Sequence, residues 1–164
     1  MTTNPRRAAF DEDEFATAAP LTPDDLRIDV SRETVPTLPR PASPRTIVIA
    51  NQKGGVGKTT TSVNVAAGLA LGGLTVLVID MDPQGNATTA LGVEHAEGSA
   101  GTYEALVDAV PIGELIQRCP DISTLWVLPA TIDLAGAELG LVATVSRETK
   151  LKVAIESFLQ DYYV

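Results

Sequence analysis

Lys53-Gly54-Gly55-Val56-Gly57-Lys58-Thr59-Thr60 is the stretch on which the fold turns. It is a glycine-rich loop between two segments of opposite character. Before it lies Thr46-Ile47-Val48-Ile49-Ala50, a short continuous apolar run rich in β-branched residues, the signature of a strand covered on both faces. After it, Thr59 to Leu71 carries Val63, Ala66, Ala67 and Ala70 on one stripe, as a helix packed on a sheet does. Gly72-Gly73 closes that helix. Thr75-Val76-Leu77-Val78-Ile79 then repeats the buried-strand pattern, with Asp80 at its carboxyl end. Residues 46–79 therefore predict strand, loop, helix and strand, and the right-handed crossover this requires implies a parallel sheet.

The loop has a chemical reading. A nucleotide tail gathers negative charge, which a protein meets with backbone N–H groups, a helix N-terminus and a lysine. The backbone comes close enough only where side chains do not intervene, and Gly54, Gly55 and Gly57 meet that condition. Lys58 starts the helix within reach of the β- and γ-phosphates, the Thr59 hydroxyl can hold Mg²⁺, and Thr60 can contact the α-phosphate. The standard pattern is G-x-x-x-x-G-K-[ST]. Here Gln52 stands where the first glycine belongs and Lys53 follows it, which brings a second lysine to the loop. A plain glycine turn is the competing account, and the context of strand before and helix after weighs against it.

Asp80-Met81-Asp82-Pro83-Gln84-Gly85-Asn86 follows the second strand. Ligands of open parallel sheets bind at the carboxyl ends of strands, so this segment and the loop are expected to converge on one crevice. One of the two acids can support Mg²⁺, directly or through water, and the other can orient or activate an attacking water. Pro83 and Gly85 make a turn able to respond to a γ-phosphate. Asp80 as a structural residue that caps the strand is the alternative.

Composition bounds the rest. The chain has 164 residues, 45% of them hydrophobic and only 4% aromatic, so Ala, Val and Leu must fill its core. A net charge of −9 argues against a general nucleic-acid binder, which shows a basic face. A lone Cys119 permits no internal disulfide and no multi-cysteine cluster, and reads as a reduced structural residue. No apolar run reaches membrane-span length and the N-terminus lacks a signal-peptide core, so the cytoplasm is the expected compartment. Residues 1–44, with Pro5, Pro20, Pro23, Pro36, Pro39, Pro41 and Pro44 and charges of both signs, read as a disordered Pro-rich arm. Pro36-Thr37-Leu38-Pro39 within it reads as stiff linker. Further along, helices are expected over 102–110, 112–117, 132–143 and 147–160, a strand over 125–128, and the opening of another strand at Tyr162-Tyr163-Val164. His95 reads as a solvent-exposed loop residue, Trp126 as buried in the sheet, and Glu104 with Asp108 as a solvated helix face.

The run Asn51-Gln52-Lys53-Gly54-Gly55-Val56-Gly57-Lys58-Thr59-Thr60-Thr61-Ser62-Val63-Asn64, followed by Asp80-x-Asp82-Pro83-Gln84-Gly85-Asn86, resembles the deviant Walker A family that includes ParA, Soj and MinD. The second block, with Ala87-Thr88-Thr89-Ala90-Leu91-Gly92, points to the ParA/Soj branch of partitioning ATPases. The resemblance runs from about residue 46 to 164. It implies an α/β fold of the P-loop NTPase type, three layers with a mostly parallel sheet. It also implies that 45–164 is the N-terminal part of such an ATPase domain, with the family's later strands and helices, its second acidic motif and its basic DNA-contacting residues missing. On the family pattern, ATP and Mg²⁺ are the cofactors and Lys53 through Thr60 bind the nucleotide. Lys53 is the signature lysine that reaches across an ATP-bound dimer, Lys58 the ordinary loop lysine, and Thr59 a metal ligand, with Asp80 beside it. Asp82 positions the hydrolytic water. Lys53, Lys58 and Asp82 are thus the expected catalytic residues. The implied cycle is ATP-driven homodimerisation, non-specific DNA binding on the nucleoid, and hydrolysis stimulated by a ParB-like centromere-binding partner, with no membrane step.

Other functions on the same loop make different demands. A reductase of the nitrogenase-iron-protein kind needs cluster-ligating cysteines, and Cys119 stands alone. An amidotransferase-type synthetase is disfavoured by Asp82-Pro83-Gln84-Gly85-Asn86. A MinD-like protein would carry its membrane helix beyond Val164. A truncated chain that at most binds nucleotide is the non-enzyme alternative, and residues 46–164, six basic against thirteen acidic, are consistent with a piece lacking a DNA-binding part.

Overall fold

The computed structural model describes residues 37–142 and 144–162. The chain divides into Met1–Thr34 and Val35–Val164, and only the second unit falls within the described residues. The expected arm therefore lies outside them up to residue 36.

Helix α1, Lys58–Leu71, is set by glycines at both ends. Gly57 takes φ 85° at its N-cap, and Thr61 N–H donates to Gly57 O at 2.8 Å to close the first turn. At the other end Gly72 N–H donates to Gly68 O and Gly73, at φ 88°, to Ala70 O. Ala66 and Ala70 form its buried face, and their small side chains let the helix lie close on the sheet.

Three strands form that sheet: β1 (Val76–Ile79), β2 (Gln117–Arg118) and β3 (Leu125–Leu128), in the order β1-β3-β2. β1 and β3 are parallel, with Val76 opposite Leu125 and Ile79 opposite Leu128. The shorter β2 runs antiparallel to β3, with Gln117 opposite Val127. The strand period of two sorts the side chains into two cores. Val76, Val78, Leu125 and Val127 pack with Ala66 and Ala70 of α1, together with Leu91, Val93 and Cys119. Leu77, Ile79 and Leu128 turn to the other face, against Ala105, Ile112 and Leu115 and against Ala154, Ile155 and Phe158. Helices cover both faces, so the molecule has three layers. Leu125, Val127 and Leu128 are wholly inaccessible, and each contributes about 1.5–3 kcal/mol by leaving water.

The remaining elements are α2 (Asn86–Ala90), α3 (Thr102–Leu106), α4 (Ile112–Leu115), a 3₁₀ turn (Ile132–Gly136) leading into α5 (Ala137–Leu141), and a second 3₁₀ turn (Arg147–Thr149) leading into α6 (Lys150–Tyr162). None of the described helices is long and apolar enough to cross a membrane.

The structure departs from the sequence expectations in particular places. Thr46–Ala50 does not pair as a strand, and Ile47 and Val48 are 65% and 81% exposed. A strand exists through its ladder and its covered faces, and among the described residues neither edge of the β1-β3-β2 sheet takes this segment. Gln117 belongs to β2 rather than to a helix, because its backbone pairs with Val127. Tyr162 ends α6 and opens no strand, while Tyr163 and Val164 lie outside the described residues. Glu104 does more than face solvent: its carboxylate accepts the Gly101 N–H at 2.6 Å and caps α3. The linker is tied down as well, since Leu38 N–H donates to Gly72 O at 2.8 Å.

Candidate functional site

The glycine loop wraps the start of α1. Gly55 and Gly57 hold φ of 68° and 85°, a left-handed backbone that side-chain-bearing residues rarely adopt. A Cβ added at Gly54, Gly55 or Gly57 would meet nothing within 4 Å, so the space over the loop is open. Gly55, Val56, Gly57, Lys58, Thr59 and Thr60 line a cavity of about 290 Å³ there. Helix geometry leaves the N–H groups of Lys58, Thr59 and Thr60 without intrahelical acceptors. The N-cap glycine supplies no side-chain acceptor and the first turn holds no acid. The loop therefore presents positive charge and unshared donors to the cavity, which suits an anion. Asn51 Oδ1 accepts the Lys53 N–H at 2.9 Å and shapes the entry to the loop. Lys58 Nζ donates to Lys53 O at 3.3 Å, so the ammonium of one lysine rests on the carbonyl of the other. Lys53 is exposed, and Lys58 and Thr59 are half-buried.

The two aspartates behave differently. Asp80, 4% exposed at the end of β1, is held by protein donors. Its Oδ2 accepts Thr88 N–H at 2.9 Å and Thr88 Oγ1–H at 2.7 Å, and its Oδ1 accepts Asp82 N–H at 3.1 Å. Thr88 Oγ1 accepts the Ala130 N–H at 3.2 Å, and Thr102 Oγ1 donates to Asp80 O at 2.8 Å. This network joins the ends of β1 and β3 to α2. Oδ1 keeps lone-pair capacity beyond its one partner, so the buried carboxylate can still turn a face to a bridging water. Asp82 is exposed, its Oδ1 accepts the Gln84 N–H at 3.0 Å, and its carbonyl accepts the Gly85 N–H at 2.8 Å. The main chain thus fixes the aspartate in a tight turn while its side chain keeps free lone pairs toward solvent. α1 packs against both β1 and α2, so the helix that carries the loop adjoins the elements that carry the aspartates.

One residue of this region escaped the sequence reading. His95 is half-buried, not a free loop residue: its Nδ1 lies 3.1 Å from Val93 O and its Nε2 3.3 Å from Thr89 Oγ1. The available signal was Gly85, whose place in a turn asks what packs where a side chain would be. Cys119 is buried, and its thiol donates to Leu91 O at 3.2 Å, a structural contact. Trp126 is half-buried in the sheet, with the Arg118 guanidinium 4.9 Å from its ring centre. A larger cavity of about 600 Å³ lies between α3, α4 and α6, lined by residues including Pro111, Ile112, Val153 and Phe158. It is apart from both aspartates and the glycine loop.

Comparison with known proteins gives the chain its relatives. The family model for an AAA domain matches residues 44–164. The sporulation initiation inhibitor protein Soj of Bacillus subtilis is 53% identical over 116 residues, which are 71% of this chain and 46% of Soj. The chromosome partitioning protein ParA of Myxococcus xanthus is 47% identical over 118 residues, 72% of this chain and 41% of that protein. Among solved structures, that of a cobyrinic acid a,c-diamide synthase from Mycobacterium smegmatis with bound ATP analogue and magnesium is 40% identical, with a TM-score of 0.63 over 68% of this chain and 45% of that one. The chain thus spans less than half the length of each of these relatives.

Proposed function

Since the chain belongs to the ParA/Soj family of partitioning proteins, we propose that it is the nucleotide-binding part of an ATP-driven switch for partitioning DNA, a chromosome or a plasmid. The observation that carries the proposal is the loop itself: Gly55 and Gly57 in left-handed conformations, open space above them, and Lys58 at the head of a 14-residue helix. Residues 45–164 act as the front part of the ATPase domain, and residues 1–44 are an arm ahead of it.

In this reading the N–H groups of residues 54–60 and the Lys58 ammonium bind the ATP phosphates, and Thr60 contacts the α-phosphate. Mg²⁺ supplies Lewis acidity to the phosphates. Thr59 would hold it by its hydroxyl, and Asp80, a carboxylate already taking three protein hydrogen bonds, would support it from beside that ligand. Asp82, exposed and held by its own turn, positions the attacking water. Lys53, exposed at the mouth of the loop, reaches the phosphates of a second copy in an ATP-dependent homodimer. The partners of the whole protein are non-specific DNA and a ParB-like protein, and its place is the cytoplasm, on the nucleoid.

The test is a pair of variants. Lys58→Ala abolishes ATP binding, since a charge-assisted bond of about 1.5–3 kcal/mol is already worth roughly ten- to a hundredfold in Kd. Asp82→Ala binds ATP as the unsubstituted chain does and loses hydrolysis by about 10²–10⁴-fold. Tight ATP binding by Lys58→Ala would remove the phosphates from this loop. The likeness to the cobyrinic acid a,c-diamide synthase of Mycobacterium smegmatis favours a second reading, an amidotransferase-type synthetase. Glutamine-dependent amidation of a carboxylate substrate would decide for it.

A further inference from the structure

We infer that His95 is a positioning residue for the Asp82–Gly85 turn and, through it, for the Asp82 carboxylate. The inference rests on the reading of Asp82 as the water-positioning group of an ATP site. Three observations carry it.

The first is steric. Gly85 is buried with φ 60°, and a Cβ there would lie 2.7 Å from His95 Cδ2 and 2.8 Å from both His95 Nε2 and Ala130 O. The imidazole therefore occupies the volume that a side chain at Gly85 would take, and the turn is clasped between the ring and the Ala130 carbonyl, just past β3.

The second is the tether of the ring. Nδ1 faces Val93 O, which can only accept, so Nδ1 carries a proton and donates. Val93 is 5% exposed and its own N–H donates to Thr88 O at 3.2 Å. The ring is thus anchored to the core through Val93, whose N–H bonds Thr88, the residue whose hydroxyl holds Asp80.

The third is a shared proton. Thr89 Oγ1 lies 3.0 Å from Gly85 O and 3.3 Å from His95 Nε2. In the Nδ1–H tautomer both of these are acceptors, and the hydroxyl has one proton to give. The turn's carbonyl and the imidazole compete for it. A movement of the turn that lengthens one bond strengthens the other, so the ring reads the position of Gly85. Asp82 is bound to the same turn by Gly85 N–H on its carbonyl and Gln84 N–H on its Oδ1. A γ-phosphate that draws on Asp82 or the turn is then felt at Nε2.

His95 is the only histidine of the chain, so its ring resonances stand alone in a spectrum. The experiment uses the full chain labelled with ¹⁵N and ¹³C. Without nucleotide, amide exchange at Gln84 and Gly85 is about tenfold faster in His95→Ala than in the unsubstituted protein, with the β3 amides unchanged. His95→Gln, whose amide can reach Thr89, recovers most of that protection. With Mg²⁺ and a non-hydrolysable ATP analogue the His95 Nε2 resonance moves away from its position with Mg²⁺ and ADP. Equal exchange in His95→Ala and the unsubstituted chain overturns the clasp, and identical ring resonances in the two nucleotide complexes overturn the coupling to Asp82. Failure of the unsubstituted chain to bind either nucleotide overturns the proposed function and the coupling with it, while the exchange comparison, which needs no nucleotide, still decides the clasp.

Discussion

Thr88→Val removes a single oxygen from the network that joins β1, β3 and α2. Thr88 is wholly inaccessible, its hydroxyl donates to Asp80 Oδ2 at 2.7 Å, and it accepts the Ala130 N–H at 3.2 Å. Valine keeps the shape and the backbone bond from Thr88 N–H to the same carboxylate oxygen. Two losses remain. The buried carboxylate gives up a charge-assisted bond, about 1.5–3 kcal/mol, and the Ala130 N–H is left without its acceptor, about 1–3 kcal/mol. Neighbouring terms do not add fully, so the expected destabilisation is about 3 kcal/mol. Urea unfolding followed by the fluorescence of the single tryptophan, Trp126 on β3, is the assay. With a slope of about 1–3 kcal/mol per M, the midpoint falls by roughly 1–3 M. Thr88→Ser keeps the hydroxyl and loses only a methyl group, at about 1 kcal/mol. If Val and Ser unfold within about 0.5 kcal/mol of each other, on the scale of experimental scatter between independent sites, the hydroxyl is not what holds Asp80 and the reasoning fails.

Two backbone positions give sharp contrasts. Gly101→Ala puts a Cβ against the Pro129 carbonyl oxygen, which also accepts the Thr102 N–H at 2.8 Å and cannot move freely. The expected cost is about 2–3 kcal/mol, at the upper end of overpacking. At Gly72→Ala the new atom meets Leu38 Cδ1 at 2.6 Å and Cγ at 2.7 Å, side-chain atoms rather than a fixed carbonyl, so the cost in the same assay stays below that of Gly101→Ala, at about 1 kcal/mol, and appears mainly as faster exchange of the Leu38 amide. Ala109 takes φ 56° just after α3. Ala109→Gly relieves about 1–2 kcal/mol of left-handed strain against about 0.5–1 kcal/mol of added chain entropy. The result expected is a gain of roughly 0.5–1 kcal/mol, and a loss of stability would show that Ala109 is not strained.

What the sequence made legible follows the range of the forces involved. The loop, α1, β1 and β3 were readable because each is written in adjacent residues: glycines at fixed offsets, a stripe of Ala and Val, a β-branched run in β1 and a short apolar run closed by Pro129 in β3. The three layers and the mostly parallel sheet were what the family resemblance implied; from the residues alone, parallel strands were inferred through Thr46–Ala50, which does not pair, and the parallel partner of β1 is β3. The antiparallel β2 was not, because Gln117-Arg118 is too short to show a period and becomes strand only through Trp126 and Val127. At the site, strand polarity led to the expectation that loop and aspartates share one crevice; the cavity over the loop is lined by residues 55–60 without either aspartate, and loop and aspartates are linked through the packing of α1 on β1 and α2. The different settings of the two aspartates, Asp80 buried and bonded and Asp82 exposed, were not readable, since they depend on Thr88 and Ala130, which lie 8 and 42 residues from their respective partners. His95 was missed for the same reason: its loop is polar in sequence, and only the fold brings the ring onto Gly85.

The loop and the segment before it show how independent these levels are. Thr46–Ala50 has every local mark of a strand, yet its state is decided by pairing, and it lies unpaired with Val48 81% exposed. A few residues later the loop holds its form by contacts no farther than five residues apart: Asn51 to Lys53, Lys58 to Lys53, and two glycines at positive φ. The glycine loop is thus shaped by its own residues and does not wait for a ladder on Thr46–Ala50. That has an energetic consequence for ligand capture. Lys58 rests on one exposed, 3.3 Å bond to the Lys53 carbonyl, at the long end of the hydrogen-bond range and worth about 0.5–1 kcal/mol. A phosphate oxygen is itself charged and offers the ammonium an ion pair in place of an ion–dipole contact, which is the stronger bond. Leaving the carbonyl costs little, so the lysine can exchange it for phosphate without rearranging the glycines. The Lys53 carbonyl returns to solvent when it does, at the mouth of the loop where the second lysine is exposed.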